Sequence, residues 1–110
     1  MPQLTENVVI ALCCAPNPLI AQRLSKELLS QRLAACVNLI SGIQSHYWWQ
    51  DEIQSADEVL MIIKTTEDRT EALKGFMQTQ HPYDSPELIV LPIAAGLDAY
   101  LTWVKKETRP

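Results

Sequence analysis

The sequence has 110 residues and a formal net charge of −4, with 47% hydrophobic and 20% charged residues. This length and composition predict one domain over residues 1–110 with its own hydrophobic core, and they exclude a disordered or fibrous chain. The nine Lys and Arg residues are scattered along an acidic chain, which argues against nucleic acid as a partner because binding a polyanion needs a local positive field.

The N-terminal segment, residues 1–6, carries no basic region of the kind that opens a signal peptide. No apolar run further along the chain reaches the roughly 20 residues of a membrane-spanning helix. We therefore expect a cytoplasmic protein that has no membrane partner.

The first predicted strand covers residues 8–13, which form a continuous apolar run of strand length. Cys13 and Cys14 are neighbours, so in a strand their side chains should point to opposite faces. A helix should follow, because Asn17 suits the N-cap and Pro18 suits the first helical position. Its predicted buried face repeats at three- and four-residue steps and consists of Ile20, Leu24, Leu28, Leu29 and Leu33.

The second strand is predicted over residues 36–40, and extended structure should resume after Gly42 over residues 45–49. The chain should turn at residues 50–52 and return as a third strand over residues 58–64, so that the two strands form a long hairpin. Gly42 indicates a bulge or bend on the way to the hairpin tip. Cys36 stands in an apolar context and is expected to be a small core residue. Aromatic side chains near the tip would expose more apolar surface than one copy can cover, so we expect them to contact another copy. These residues are Tyr47, Trp48 and Trp49.

A second helix is predicted to begin after Thr66, as its N-cap, and to end near Gln80. Its buried side should hold Leu73, Phe76 and Met77. A fourth strand is predicted over residues 88–93, where Pro92 indicates a sheet edge that is not paired in the usual way. A last helix should present one apolar stripe formed by Leu97, Tyr100, Leu101 and Val104.

This order of elements is β-α-β-β-α-β with an extra C-terminal helix, the ferredoxin-like split arrangement of α+β proteins. Two helices cover one face of such a sheet, and the other face stays bare. Burying apolar surface gives about 25 cal/mol per Å², so a bare apolar face favours association between copies. The pattern predicts association but not the number of copies.

Residues 81–87, with the sequence His-Pro-Tyr-Asp-Ser-Pro-Glu, place an imidazole in a polar loop just before the fourth strand. Each proline fixes its own φ and pushes the preceding residue toward extended geometry, so this segment cannot easily continue the second helix. A proline-rich connector is common in loops. Taken alone, the segment therefore fits a connector as well as a functional site.

Four motifs together resemble those of the CutA family, the divalent-cation tolerance proteins. They are Leu-Cys-Cys-Ala-Pro at 12–16, Leu-Ala-Ala-Cys-Val-Asn at 33–38 followed by Ser45, Tyr47 and Trp49, Ile-Lys-Thr-Thr at 63–66, and the 81–87 segment. They occur in the same order and cover nearly the whole chain. The resemblance implies a homotrimer that binds copper or another divalent cation and takes part in the response to metal ions and their tolerance, with no obligatory cofactor.

The same resemblance suggests metal ligands. Cys13 falls on the cysteine of the family's first-strand motif and His81 on the second of its paired histidines, whereas Gln80 occupies the position of the first. Glutamine is a poor ligand for a soft metal, and two donors are half of a tetrahedral set. Neighbouring subunits could supply further donors, and Cys14 and His46 are weaker candidates within this chain.

Four polar residues occupy positions that resemble a polar cleft of the family, and we expect them at the boundary between subunits: Glu58, Lys64, Tyr83 and Glu87. An unpaired ammonium is costly to bury, so Lys64 should pair with Glu87, or failing that with Glu58. Two interpretations stay open. These groups either tie strand ends together or bind a small anionic metabolite, as in the trimeric PII signalling proteins, whose fold the family's fold resembles.

An enzyme is not expected. The sequence has no Ser-His-Asp order, no glycine-rich phosphate loop and no paired acid motif. The three cysteines have no metal-finger spacing and are odd in number, so a structural zinc site or a disulfide framework is not expected either.

Overall fold

The computed structural model describes residues 7–110, so the expectation drawn from residues 1–6 lies outside the described residues. The elements in chain order are β1 Val8–Ala15, α1 Pro18–Ser30, β2 Cys36–Trp49, β3 Glu52–Thr66, a 3-10 turn Glu67–Arg69, α2 Thr70–Gln80, β4 Ile89–Pro92 and α3 Asp98–Glu107. Within residues 7–110, none of the helices has the length and apolar character needed to span a bilayer.

The four strands form one antiparallel sheet in the order β2-β3-β1-β4. This confirms the α+β ferredoxin-like prediction, with the long β2-β3 hairpin and the extra C-terminal helix. β4 lies at an edge, where its Pro92 pairs with Val9 of β1. The missing amide of proline is tolerated there because one side of an edge strand has no ladder to complete.

The core fills the space between the sheet and the helices α1 and α2. Alternate residues of β1 and β3 point into it, and fully buried leucines of both helices meet them. The main contributors are Ala11, Cys13, Met61, Ile63, Leu24, Leu28 and Leu73. The intervening strand residues face away from these helices, and they leave Ile40, Ile89 and Leu91 exposed.

The start of α1 is as predicted. Asn17 is the N-cap, its Oδ1 accepts a hydrogen bond of 2.9 Å from the amide of Ile20, and Pro18 is the first helical residue. The prediction that Leu29 belongs to the buried face is wrong, since its side chain is 41% exposed. The helix ends at Ser30 and turns through Arg32 at φ +59°, which returns Leu33 to the core.

The hairpin contains the predicted bulge and is longer than predicted. Ile40 pairs with Leu60 and Ile43 with Glu58, so β2 has one extra residue around Gly42, whose φ is +79°. At the tip, two residues with positive φ, Gln50 at +50° and Asp51 at +63°, form a two-residue turn. Pairing from this tight turn extends β3 back to Glu52, six residues before the predicted start.

Two further predictions are corrected. Thr66 does not cap α2, because the 3-10 turn intervenes and α2 begins at Thr70 after Arg69. Cys36 is not a core residue. It pairs in register with Lys64 on the sheet face away from α1 and α2, and its Sγ lies 3.8 Å from Oδ1 of Asn38. Side chains alternate along β2, so Val37 points into the core and Cys36 points away from it in spite of its apolar character.

Candidate functional site

A cleft of about 760 Å³ opens between the aromatic part of the β2-β3 hairpin and the loop after α2. Its lining consists of Cys14, Ser45, His46, Tyr47, Trp48, Trp49, Glu58, Pro82, Tyr83, Asp84, Ser85 and Glu87. The bulge at Gly42 shapes the hairpin wall of the cleft, and the prolines of the 81–87 segment shape the loop wall. Three strands and one loop thus bring together residues that are up to 73 positions apart.

Cys14 contacts Glu87 inside the cleft. The thiol lies at the end of β1, 8% of the residue is exposed, and its Sγ is 3.8 Å from Oε2 of Glu87. Burial first, and then the negative charges of Glu87 and Glu58, raise the pKa of the Cys14 thiol to about 11. Cys14 is therefore a neutral thiol at pH 7 in a locally negative field.

Tyr83 and Glu58 join the two walls of the cleft. The hydroxyl of Tyr83, on the loop, donates a hydrogen bond of 2.8 Å to Oε2 of Glu58, on β3. Burial first, and then this bond and the carboxylate charge, raise the pKa of the Tyr83 hydroxyl. Glu58, Tyr83 and Glu87 thus lie together within one copy, since all three line the cleft.

His81 lies beside the cleft with both ring nitrogens occupied. The residue is 6% exposed, its Nε2 is 2.7 Å from the main-chain oxygen of Cys14, and its Nδ1 accepts a hydrogen bond of 3.1 Å from the amide of Tyr83. Because Nδ1 accepts, Nε2 must carry the proton and donate. The imidazole is a neutral connector between β1 and the loop.

Cys13 points away from the cleft, as its alternation with Cys14 requires. Its side chain is fully buried in the core, and its Sγ lies 3.8 Å from the main-chain oxygen of Cys14. Burial is the main cause that raises the pKa of the Cys13 thiol to about 12. A thiolate, the form that binds metals, is strongly disfavoured at this position.

The pair Cys13 and His81 therefore does not fit a resident metal ion in this arrangement of one copy. Gln80, the last residue of α2, is exposed, and its main-chain oxygen accepts a hydrogen bond from Arg23. Over residues 7–110, no group of three or more His, Cys, Asp and Glu side chains is arranged to hold a metal ion. The two weaker candidates, Cys14 and His46, do share the cleft.

Lys64 does not pair with Glu87 or Glu58 within one copy, and that expectation is corrected. Its Nζ donates to Oδ1 of Asn38, which lies diagonally across on β2, two residues beyond Cys36, the residue that pairs with Lys64. Lys64 and Glu58 point to the same face of β3 but are about 20 Å apart along the strand at 3.4 Å per residue. The ammonium is half-buried rather than enclosed, so a neutral amide satisfies it.

The aromatic residues of the hairpin stay exposed in one copy, with Tyr47 at 44%, Trp48 at 71% and Trp49 at 50%. Sequence reasoning also missed some of the cleft lining, namely Ser45, Pro82, Asp84 and Ser85. All four belong to sequence motifs that resemble those of the family, and this resemblance is the one feature of the sequence that points to them as site residues. Their residue types alone do not distinguish them from ordinary surface residues.

Comparisons with known proteins agree on one family. The model of the CutA1 divalent ion tolerance proteins matches residues 9–107. The divalent-cation tolerance protein CutA of Pectobacterium atrosepticum is 45% identical over 103 residues, which cover 94% of this chain and 94% of that protein.

Solved structures give the same result. The crystal structure of CutA1 from Oryza sativa superposes with a TM-score of 0.92 at 42% identity and covers 96% of each chain. A structure from Archaeoglobus fulgidus, described as a periplasmic divalent cation tolerance protein CutA, has a TM-score of 0.90 at 32% identity and covers 93% of this chain and 99% of that one.

Proposed function

We propose that this chain, which belongs to the CutA1 divalent ion tolerance protein family, binds copper or another divalent cation in a cleft that is completed where copies meet in a homotrimer. The family consists of divalent-cation tolerance proteins and not enzymes, in agreement with the sequence prediction. The cleft between the hairpin and the 81–87 loop is the site we assign to the cation.

The contact between Cys14 and Glu87 carries this proposal. It places a soft donor and a hard anionic donor 3.8 Å apart at the wall of an accessible cleft, with Glu58 close enough to add to the negative field. Thiolate and carboxylate are donors that copper and zinc accept. Since the thiol is protonated at pH 7, a bound metal has to displace a proton, and affinity in the micromolar range or weaker is expected.

A complete coordination set requires donors from another copy, because the described residues of one copy do not provide three in a suitable arrangement. Association is supported by the exposed apolar residues Ile40, Ile89 and Leu91 on the sheet face away from α1 and α2, and by the exposed hairpin aromatics. We propose Tyr47, Trp48 and Trp49 as contacts in the trimer and His46 as a further donor. In a second placement the metal binds Cys13 and His81, which would require the bond from His81 to Cys14 to break.

An alternative function is that of a PII-like trimeric sensor for a small anionic metabolite. One observation favours it. Lys64 donates its hydrogen bond to a neutral side chain, so that contact does not neutralise the ammonium charge, and the charge can attract an anion in an inter-subunit cleft of the assembly. The carboxylates around Cys14 oppose an anion in the cleft described above. A cytoplasmic location stays a prediction, since one relative is named periplasmic.

Calorimetric titration with Cu²⁺ tests the proposal. Wild-type protein should release heat on binding, and Cys14→Ser should weaken affinity by about tenfold or more because a soft ligand is lost. Glu71→Gln is a matched control, since this carboxylate is exposed on α2 and pairs with Lys74. Unchanged binding by Cys14→Ser together with loss of binding by His81→Ala would favour the second placement.

A further inference from the structure

We infer that Tyr83 competes with the cation for Glu58, so that the hydrogen bond between these two residues limits the affinity of the cleft and opens when a divalent cation binds. This role of Tyr83 rests on the proposed function, since it uses the site assigned there to the cation. It goes further by assigning a third ligand, Glu58, and the residue that withholds it.

Glu58 and Cys14 are diagonal neighbours on one face of the sheet. Cys14 pairs with Leu60 of β3, and Glu58 lies two residues before Leu60, so side-chain alternation sends Glu58 to the same face as Cys14. Diagonal neighbours on adjacent strands lie about 7–8 Å apart, within reach of a long side chain. The carboxylate of Glu58 can therefore approach the thiol of Cys14 when nothing else holds it.

Tyr83 holds this carboxylate on the loop side of the cleft. The Tyr83 hydroxyl donates its hydrogen bond of 2.8 Å to Oε2 of Glu58. The tyrosine is itself fixed by His81, whose Nδ1 accepts from the Tyr83 amide and whose ring centroid lies 4.7 Å from that of Tyr83. A hydrogen bond to a charged acceptor is among the strong ones, so it fixes the orientation of the carboxylate and occupies one of its two oxygens. A metal ion that binds this oxygen has to displace the phenol.

Release of Glu58 gives one copy three donors for a single ion, the thiolate of Cys14 and the carboxylates of Glu87 and Glu58. Cys14 and Glu87 already have a suitable separation, since their Sγ and Oε2 atoms are 3.8 Å apart. Sulfur and oxygen ligands of a tetrahedral zinc ion lie about 3.5 Å from each other, given bonds of about 2.3 and 2.0 Å. The neighbouring copy then has to supply only the fourth donor.

Titration of the full chain with Zn²⁺ in a calorimeter tests the competition. Tyr83→Phe keeps the ring beside His81 but removes the hydroxyl. This variant should bind Zn²⁺ about tenfold more tightly than the wild type, because the ion no longer displaces a hydrogen bond to a charged group. Tyr100→Phe is the matched control, since Tyr100 lies on α3 outside the cleft and is 41% exposed, and its affinity should equal that of the wild type. Unchanged or weaker binding by Tyr83→Phe would overturn the inference.

A double-mutant cycle shows whether the gain acts through Glu58. Glu58→Gln should by itself weaken Zn²⁺ binding by about threefold to tenfold, because an anionic ligand is lost. Adding Tyr83→Phe to Glu58→Gln should then give no gain, since the carboxylate that the tyrosine withholds is no longer present. A gain as large as that in the wild-type background would contradict the competition.

The opening of the hydrogen bond has a readout that does not depend on affinity. The hydroxyl-bearing ring carbon of Tyr83, labelled with ¹³C and assigned by its loss in Tyr83→Phe, gives a resonance that responds to the partner of the hydroxyl. Saturation with Zn²⁺ should move this resonance toward its position in metal-free Glu58→Ala, which has no acceptor for the phenol. A resonance that stays at its metal-free position under saturating Zn²⁺ would overturn the inference.

Failure of the proposed function gives a different result. Absence of Zn²⁺ and Cu²⁺ binding by the wild type, with tight binding by Tyr83→Phe, would remove the proposed function of the native chain and support the competition. Binding by the wild type without a gain in Tyr83→Phe would remove the competition alone. Binding by neither protein would remove both.

Discussion

Nε2 of His81 donates a hydrogen bond of 2.7 Å to the main-chain oxygen of Cys14, and this bond ties the loop that carries Tyr83 to the end of β1. Nδ1 of the same ring accepts from the amide of Tyr83. The histidine that the family resemblance marks as a metal ligand therefore positions two residues of the cleft, and it does so as a neutral ring.

His81→Ala should lower the free energy of unfolding by about 1–3 kcal/mol, because the Cys14 oxygen and the Tyr83 amide both lose their partner. Chemical denaturation of the wild type and the variant measures this difference. His46→Ala, an exposed position on the hairpin, is the control and should change stability little. A His81→Ala protein of unchanged stability but greatly weakened copper binding would show that the ring is a ligand instead.

Glu87→Gln should lower the pKa of the Cys14 thiol from about 11, because the variant removes a nearby negative charge and the charged acceptor of the hydrogen bond that the thiol donates to Oε2 of Glu87. At a fixed pH below that value more thiolate is present, so alkylation by iodoacetamide should be about threefold to tenfold faster. The measurement uses a Cys36→Ser background, in which Cys14 is identified by mass spectrometry. Slower or unchanged alkylation would contradict the electrostatic role of Glu87.

Asp68→Asn should destabilise the protein by about 1 kcal/mol near neutral pH, a value reduced for solvent screening because the pair is partly exposed. Arg109 binds both carboxylate oxygens of Asp68 and is the main cause that lowers the pKa of Asp68 to about 2 from 3.8. Because the pKa of Asp68 is lower in the folded state than in the unfolded state, its carboxylate stabilises the folded state at pH values above the unfolded-state pKa. This contribution is lost as the pH falls toward about 2.

The difference in unfolding free energy between wild type and Asp68→Asn should therefore shrink as the pH falls from 3.8 toward about 2. Glu71→Gln serves as the exposed-carboxylate control. A difference that does not depend on pH would show that the Arg109 pair is not what stabilises this end of the chain.

Replacing Trp48 and Trp49 by serine should shift the dissociation of the assembly to protein concentrations at least about tenfold higher, because large aromatic residues dominate interface energies. Light scattering over a dilution series measures the mass. Leu19→Ser is the control, since Leu19 is 77% exposed on α1, in the helical layer. A wild-type protein that remains monomeric at every concentration would contradict the proposed trimer.

The order of the elements could be predicted from the sequence because each has a local cause. Asn17 and Pro18 start α1, Gly42 marks the bulge, and Pro92 marks the edge strand. Boundaries that depend on tertiary pairing could not be predicted. The extension of β3 to Glu52 follows from the tight turn at Gln50 and Asp51, which brings the two strands into register. The mostly polar residues that follow this turn have no strand propensity that would predict the extension.

The site was predictable only in part. The separation of Cys13 from Cys14 follows from strand alternation, and Glu58, Tyr83 and Glu87 do share a cleft. The partner of Lys64 depends on the register of β2 against β3, which places Asn38 beside it, and the sequence does not specify that register. The hydrogen-bond partners of the two ring nitrogens of His81 could not be predicted either, because the conformation of the loop determines them.

A crystal of the assembled protein soaked with Cu²⁺ tests the central claim most directly, through the anomalous signal of the metal. The account predicts a peak in the cleft, about 2.3 Å from Sγ of Cys14 and at the boundary between two copies. A peak between Cys13 and His81, or a soaked crystal with no metal in the cleft, would contradict it.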